Sequence, residues 1–289
     1  MDGILNVYKP IGITSFDVVR QIKKVTGIKK IGHTGTLDPL ACGVLPVCIG
    51  KGTKVVDYLM KDFKVYDATL KLGITTDTYD REGKELSISE VNVSLDEIEC
   101  VINSFLGDSF QVPPMYSALK VNGKRLYELA REGKNIEREA RPITIYDINI
   151  LHIDIPYVKF RVKCSKGTYI RSLCYDIGNN LKCGATMWDL ERVQSGAFTK
   201  ENSIELNKLT VDNINDYIIS IDESLNQYDK AFVSSKCEKL LVNGVRIGDK
   251  RLLPNIDINK MYRIYSEDNK FLGLGMRNSK GLKIEKLLL

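Results

Sequence analysis

The sequence predicts an α+β domain followed by a smaller, strand-rich module, and three observations carry the prediction. Stretches that alternate apolar and polar residues are interleaved with stretches whose apolar residues recur at helical spacing. A chain of 289 residues can bury one large core, or a large and a small one. Near residue 230 the pattern shifts to short apolar segments separated by turn residues, which divides the chain into 1–229 and 230–289.

The elements follow in order. Ser15 is placed to cap a helix whose apolar residues Val18, Val19, Ile22 and Val25 share one face until Gly27 ends it. Residues 65–72 alternate, with Tyr66, Ala68, Leu70 and Leu72 on one face and Asp67, Thr69 and Lys71 on the other, as in a half-buried strand. Ser94 and Glu97 form a capping-box pattern ahead of Leu95, Ile98, Val101, Ile102 and Phe105, a structural helix closed by Gly107. Residues 157–164 alternate again, burying Val158, Phe160, Val162 and Cys164. A helix follows with Ile170, Leu173, Cys174, Ile177 and Leu181 on one stripe and Tyr169 and Arg171 in its first turn. Ile218, Ile219, Ile221 and Leu225 read as helical. Beyond the boundary, Asn243-Gly244 between apolar segments reads as a hairpin turn, and Met261 to Tyr265 as a strand.

One stretch fits none of these periods. Gly32-His33-Thr34-Gly35-Thr36-Leu37-Asp38-Pro39-Leu40-Ala41 gathers small residues around one carboxylate and one imidazole. Its glycines permit backbone angles that other residues avoid, and Pro39 pushes Asp38 toward an extended conformation. Such a loop holds a carboxylate still. Lys29, Lys30, Lys51 and Lys54 flank it, so the acid sits within basic sequence, a pattern suited to an anionic substrate.

Composition narrows the class less sharply. Apolar and charged fractions of 43% and 27% fit a soluble globular protein, and no apolar run approaches the ~20 residues of a membrane span. The start, Met1-Asp2-Gly3, lacks the basic and apolar regions of an export signal, so the expected location is the cytoplasm. Seven cysteines, Cys42, Cys48, Cys100, Cys164, Cys174, Cys183 and Cys237, include no C-x-x-C pair, which argues against disulfides and a zinc site. With only His33 and His152, a histidine-based metal centre is not expected. The net charge is +5, yet residues 236–289 carry twelve Lys or Arg against six Asp or Glu. A basic module appended to an enzyme fits contact with a phosphate backbone. Asp77 to Gly83 lacks the ligand spacing of a calcium loop, and neither a phosphate-binding P-loop nor a dinucleotide fingerprint occurs.

The 32–41 run closely resembles the catalytic loop of the TruB family, the bacterial tRNA pseudouridine-55 synthases, whose motif reads G-H-T-G-x-L-D-P-x-A. Four further stretches resemble that family in the same order: Leu5 to Ser15 with its Lys9-Pro10 pair, Tyr66 with Leu72 to Asp80, Gln111 to Lys120, and Lys166 to Leu173. The resemblance implies a pseudouridine-synthase domain with a mixed, largely antiparallel sheet and flanking helices. It also implies an RNA-gripping insertion at about 112–140 and, with a weaker motif, a small β-barrel-like PUA domain over 230–289.

For the site, the resemblance implies Asp38 as the catalytic residue, acting as nucleophile or as base, with Arg171 as its partner. Tyr66 would stack on the target base, Tyr169 would lie near C5 or move a proton, Leu190 would form an apolar wall, and His33 would occupy the space left by a flipped base. The implied reaction is conversion of a uridine in the T-loop of tRNA to pseudouridine, without cofactor or metal, by a monomer with no obligate protein partner. Two residues depart from the family's G-A-x-L-x-x-L-R-R segment: Met187 and Glu191 stand where a leucine and an arginine are usual, which puts phosphate contact there in doubt. The alternatives are a non-catalytic RNA-binding protein, a guide-RNA-dependent relative of the dyskerin type, and an enzyme that releases uracil.

Overall fold

A computed structural model describes residues 1–289 except 62, 122, 135, 250–252 and 254–255. Positions 122 and 135 of the expected insertion, and 250–252 and 254–255 of the expected C-terminal module, therefore lie outside the described residues. The chain is mixed α and β. Its main sheet runs, edge to edge, through the strands Ile204–Glu205, Gly3–Lys9, Cys42–Ile49, Ala185–Ser195, Lys64–Leu72, Tyr157–Cys164, Arg141–Asp154 and Gly107–Gln111. Two of these pairings are parallel: Gly3–Lys9 with Ile204–Glu205, and Cys42–Ile49 with Ala185–Ser195. The rest of this path is antiparallel, as the resemblance implied.

Alternation gives the sheet two unlike faces. On one, Leu5, Val7, Leu45, Val47, Tyr66, Ala68, Leu70 and Leu190 join one apolar core with Val18, Val19 and Ile22 of the helix Ser15–Thr26 and Leu173, Cys174 and Ile177 of the helix Ile170–Asn180. Full burial of each of the leucine, isoleucine and valine side chains contributes about 1.5–3 kcal/mol. On the other face, Ile4, Val44 and Cys48 share a buried cluster with Leu225, Leu274 and Leu288.

Leu274 belongs to, and Leu288 directly follows, a second sheet of Asp229–Val233, Met261–Ser266, Phe271–Asn278 and Gly281–Leu287. It has its own core, around Val233, Cys237, Leu241, Ile264, Leu272 and Leu282. Lys51 Nζ and Lys54 Nζ donate to the carbonyls of Leu289 and Leu287 at 2.7 and 2.9 Å, tying the chain's end to the 3-10 turn Gly50–Val55 that follows Cys42–Ile49.

Five local expectations need correction. The first helix is capped by Thr14: its hydroxyl accepts from Asp17 N–H at 3.1 Å while the Asp17 carboxylate accepts from Thr14 N–H at 2.8 Å. Ser15 has no acid three residues on, and its hydroxyl turns inward instead. The helix Leu95–Asn103 ends at Ser104, before Gly107, whose φ of 101° opens a strand. Tyr169 is the N-cap of the helix Ile170–Asn180 and lies just outside it.

The stretch from Ile218 is no α-helix, because Ile218–Ile219 pairs antiparallel with Ile4 and Leu5 as an edge strand, followed by a 3-10 turn at Glu223–Leu225. Asn243-Gly244 closes a helix, Ser235–Val242, rather than a hairpin. Ser234 caps that helix, Cys237 and Leu241 bury its one face, and Gly244 at φ 78° supplies the left-handed residue after it.

Candidate active site

The 34–41 loop joins Ile31–His33 to Cys42–Ile49, two strands paired antiparallel, so its ends are fixed by the sheet. It presents the Asp38 carboxylate to the Arg171 guanidinium, with Nε 3.0 Å from Oδ2. The Asp38 side chain keeps 34% of its exposure whereas that of Arg171 keeps 7%. The acid thus reaches the surface while its partner is buried behind it. Arg171 lies in the first turn of its helix, and its remaining donors are also used. Nη2 donates to Tyr116 O at 2.7 Å and Nη1 to Thr78 O at 3.2 Å, and Nη1 lies 3.4 Å from Asp80 Oδ2. A buried guanidinium held at these three further points cannot swing to follow the carboxylate, and so limits how far the carboxylate can move from it.

Asp80 is the second acid of this network, and sequence analysis assigned it no role. Its Oδ1 accepts from Thr78 Oγ1 at 2.6 Å and from Glu82 N–H at 3.1 Å. Burial pushes its pKa above the ordinary aspartate value, opposed by the Thr78 hydrogen bond and the Arg171 charge. One buried cation between two carboxylates leaves the cluster short of positive charge.

Behind the loop stands Arg192, among the largest fully buried side chains. Its Nε donates to Val44 O at 2.7 Å and its Nη2 to Gly35 O at 3.1 Å, joining the loop to the strand that follows. Gly43 lets the two chains approach, since with φ 111° a Cβ there would lie 2.2 Å from Arg192 O. Lys9 is likewise buried, its Nζ donating to Pro10 O and Ile13 O at 2.9 and 2.7 Å. Burial pulls its ammonium down to about 8, with Cys42 and Asp38 acting the other way.

Of the remaining expected residues, Tyr66 and Tyr169 lie within reach of the Asp38 charge. Tyr66 faces the core side of its strand opposite Arg192, and Leu190 lies two positions before Arg192 on the same face. Tyr169 is held through its backbone: its N–H donates to Gln111 Oε1 at 2.8 Å and its carbonyl accepts from Gln111 Nε2 at 3.0 Å. Burial raises both phenols, and the Asp38 charge adds to each rise, so both rings lie within its field. His33 sits at the base of the loop, where its Nδ1 accepts from Gly35 N–H at 3.3 Å. Burial and then the Arg192 charge lower its pKa, favouring the neutral ring.

Of the two departures from the resembled pattern, Met187 is fully buried in the core. Glu191 falls between Leu190 and Arg192 and so points to the opposite face, where its carboxylate accepts from Tyr8 Oη at 2.8 Å and pairs with Lys200 at 2.6 Å. The residues missed in sequence, Asp80, Gln111 and the working part of Arg192, share one trait. Each acts through a partner far away in the chain. Arg192 alone left a local signal, an arginine on the apolar side of an alternating strand.

Comparison with known proteins shows the family. Residues 23–170 match the model described as TruB family pseudouridylate synthase, N-terminal domain, and residues 171–230 match that of the tRNA pseudouridylate synthase B C-terminal domain. The chain is 96% identical over 289 residues to tRNA pseudouridine synthase B of Clostridium novyi (strain NT), across the full length of both. It is 46% identical over 296 residues to the protein of the same name from Alkaliphilus oremlandii (strain OhILAs), covering 100% of this chain and 99% of the other. Among solved structures it is similar to a Cbf5-Nop10-Gar1 complex chain, at a TM-score of 0.77 and 29% identity, covering 99% of this chain and 85% of that one. A chain of an H/ACA RNP bound to a substrate RNA containing 2′-deoxyuridine gives a TM-score of 0.76 at 27% identity, with the same coverage.

Proposed function

The chain belongs to the TruB family of pseudouridine synthases, and on that premise we propose that it converts the uridine at position 55, in the T-loop of tRNA, to pseudouridine with Asp38 as the catalytic group. The reaction breaks the bond from N1 to C1′, turns the uracil, and joins C5 to C1′; the C5 proton leaves and N1 takes one up. Nothing is oxidised and no group is supplied from outside. The protein's task is to hold a carboxylate against the sugar, as a nucleophile at C1′ or a base at C2′, and to keep the freed base from escaping.

The observation that carries this reading is the 3.0 Å contact between Asp38 and a buried Arg171 that three further contacts hold in place. A charge-assisted contact at that distance holds the carboxylate at the guanidinium. A uridine must leave its stack to reach it, at a cost of a few kcal/mol. Tyr66 stacks on the flipped base, Leu190 walls it, Tyr169 lies at C5 or passes the proton, and His33 occupies the vacated space in the RNA. The insertion at about 112–140 and the basic module at 230–289 grip the T-arm. The Tyr116 carbonyl on Arg171 ties that insertion to the site. The enzyme works in the cytoplasm as a monomer without a guide RNA; among the described residues no helix is long and apolar enough to cross a membrane.

Treating an unmodified tRNA transcript with the protein alone and mapping pseudouridine by carbodiimide-dependent primer extension tests this. A single new stop reporting position 55, with no uracil released, is expected. Free uracil would make the protein a glycosylase, binding without a stop a non-catalytic RNA binder, and a stop only with added guide RNA a dyskerin-type enzyme; each outcome overturns the proposal.

A further inference from the structure

Resting on that reading of Asp38, we propose that Ser15 is a positioning residue for it: the turn from Lys9 to the first helix serves as a template that sets the Asp38 backbone. The Ser15 hydroxyl, itself buried, accepts from Leu37 N–H at 2.8 Å and donates to Leu37 O at 3.1 Å. One side chain thereby fixes both peptide units of the residue before the acid, and the second of these is the unit that ends on Asp38 N. On the other side, Gly12 N–H donates to Pro39 O at 2.8 Å, and Asp38 O accepts from Ala41 N–H at 3.1 Å. Four consecutive peptide units, from 36–37 to 39–40, each carry a hydrogen bond. The units before and after Asp38 are both among them, so neither of its backbone torsions can relax without breaking one.

Arg171 alone cannot do this. A single Nε contact constrains the carboxylate's distance, but the Asp38 side chain retains a third of its exposure and two rotatable bonds. The angle of approach to a sugar carbon must come from the backbone. The template is specific to its residues. Gly12 sits at φ 88°, where a side chain is strained, and Ser15 is displaced from capping by Thr14, which leaves its hydroxyl free for Leu37.

The test separates positioning from packing. Ser15→Ala is expected to lower the single-turnover rate constant at saturating enzyme about 10- to 100-fold, the effect of a catalytic group displaced by about 1 Å. Its Kd for a T-arm RNA stays within twofold, because the RNA-facing surface is unchanged. Ser15→Thr, which restores a hydroxyl, recovers most of the rate. A folded Ser15→Ala with the wild-type rate constant and only a lower melting temperature would overturn the proposal, as would equal losses in Ala and Thr variants of normal circular dichroism. If Ala fails to fold, Ser15→Cys, similar in volume and a weaker donor, must still fall in rate at unchanged Kd; a wild-type rate there overturns it too. Failure of wild type to form pseudouridine would instead sink the proposed function, so the two failures are distinguishable.

Discussion

The two faces of the central sheet carry the same kinds of residue and use them differently. On the core side, Arg171, Arg192, Lys9 and Asp80 are buried, and each is held by directional bonds to named carbonyls or hydroxyls. On the far side, Asp67 pairs with Arg161 at 2.6 Å and Glu191 with Lys200 at 2.6 Å, with the cations about half exposed. Exposed pairs of that sort are worth about 0–1 kcal/mol, because water competes for both charges. Breaking a buried one strands an uncompensated charge and costs about 3–5 kcal/mol. A charge therefore matters in this protein according to the face of the strand it occupies, and along Leu190-Glu191-Arg192 that face changes with every residue.

Asp80 should give the larger contrast. Asp80→Asn retains an acceptor for Thr78 and Glu82 but removes the charge from Arg171, and is expected to lower kcat about 10- to 100-fold with RNA affinity nearly unchanged. Wild type should also show a decline in activity on the acid side that begins above the ordinary aspartate range, since burial raises the Asp80 pKa and protonation there releases Arg171. Asp80→Asn removes that limb. The linkage has a definite sign: with the folded-state pKa above the unfolded one, the favourable contribution of Asp80 is complete at pH below its unfolded value and is lost as pH rises through the folded one. Ionised Asp80 at neutral pH thus costs stability and is kept in spite of it. A pH-rate profile for the two proteins, with an unmoved acid limb in the variant, would refute its role.

Glu191→Arg should give the smallest effect. It restores the arginine usual in the family at the cost of the Lys200 and Tyr8 contacts, all on the far face. Pseudouridine formation is expected to stay within twofold and stability within about 1 kcal/mol, read by single-turnover assay and thermal melting. A tenfold change in rate would show that the two faces communicate and would break the contrast.

What the sequence revealed follows the range of the interactions. The Asp38 loop was legible because glycine and proline set backbone angles locally, and the strand of Tyr66 because alternation is local too. The pairing of Asp38 with Arg171 came from motif resemblance, and the geometry agrees. Ser15, Asp80 and Arg192 were not legible in these roles, since each role rests on a partner 22 to 157 positions away. Asn243-Gly244 misled for a related reason. The dipeptide fixes a left-handed residue, but whether a helix or a strand precedes it was decided by Ser234 and the spacing of Cys237 and Leu241. Ile218 and Ile219 were drawn into the sheet by an open edge at Ile4 and Leu5 that no local pattern discloses.

The central claim is that a carboxylate held by Arg171 carries out the isomerisation. The direct measurement is tritium release from tRNA labelled at uridine C5, in a single turnover with enzyme in excess, for wild type and Asp38→Asn at matched occupancy. Wild type should release one tritium per tRNA molecule, and Asp38→Asn none above background while binding the RNA as tightly. Release by Asp38→Asn at even a tenth of the wild-type rate would contradict the account and move the chemistry to another group.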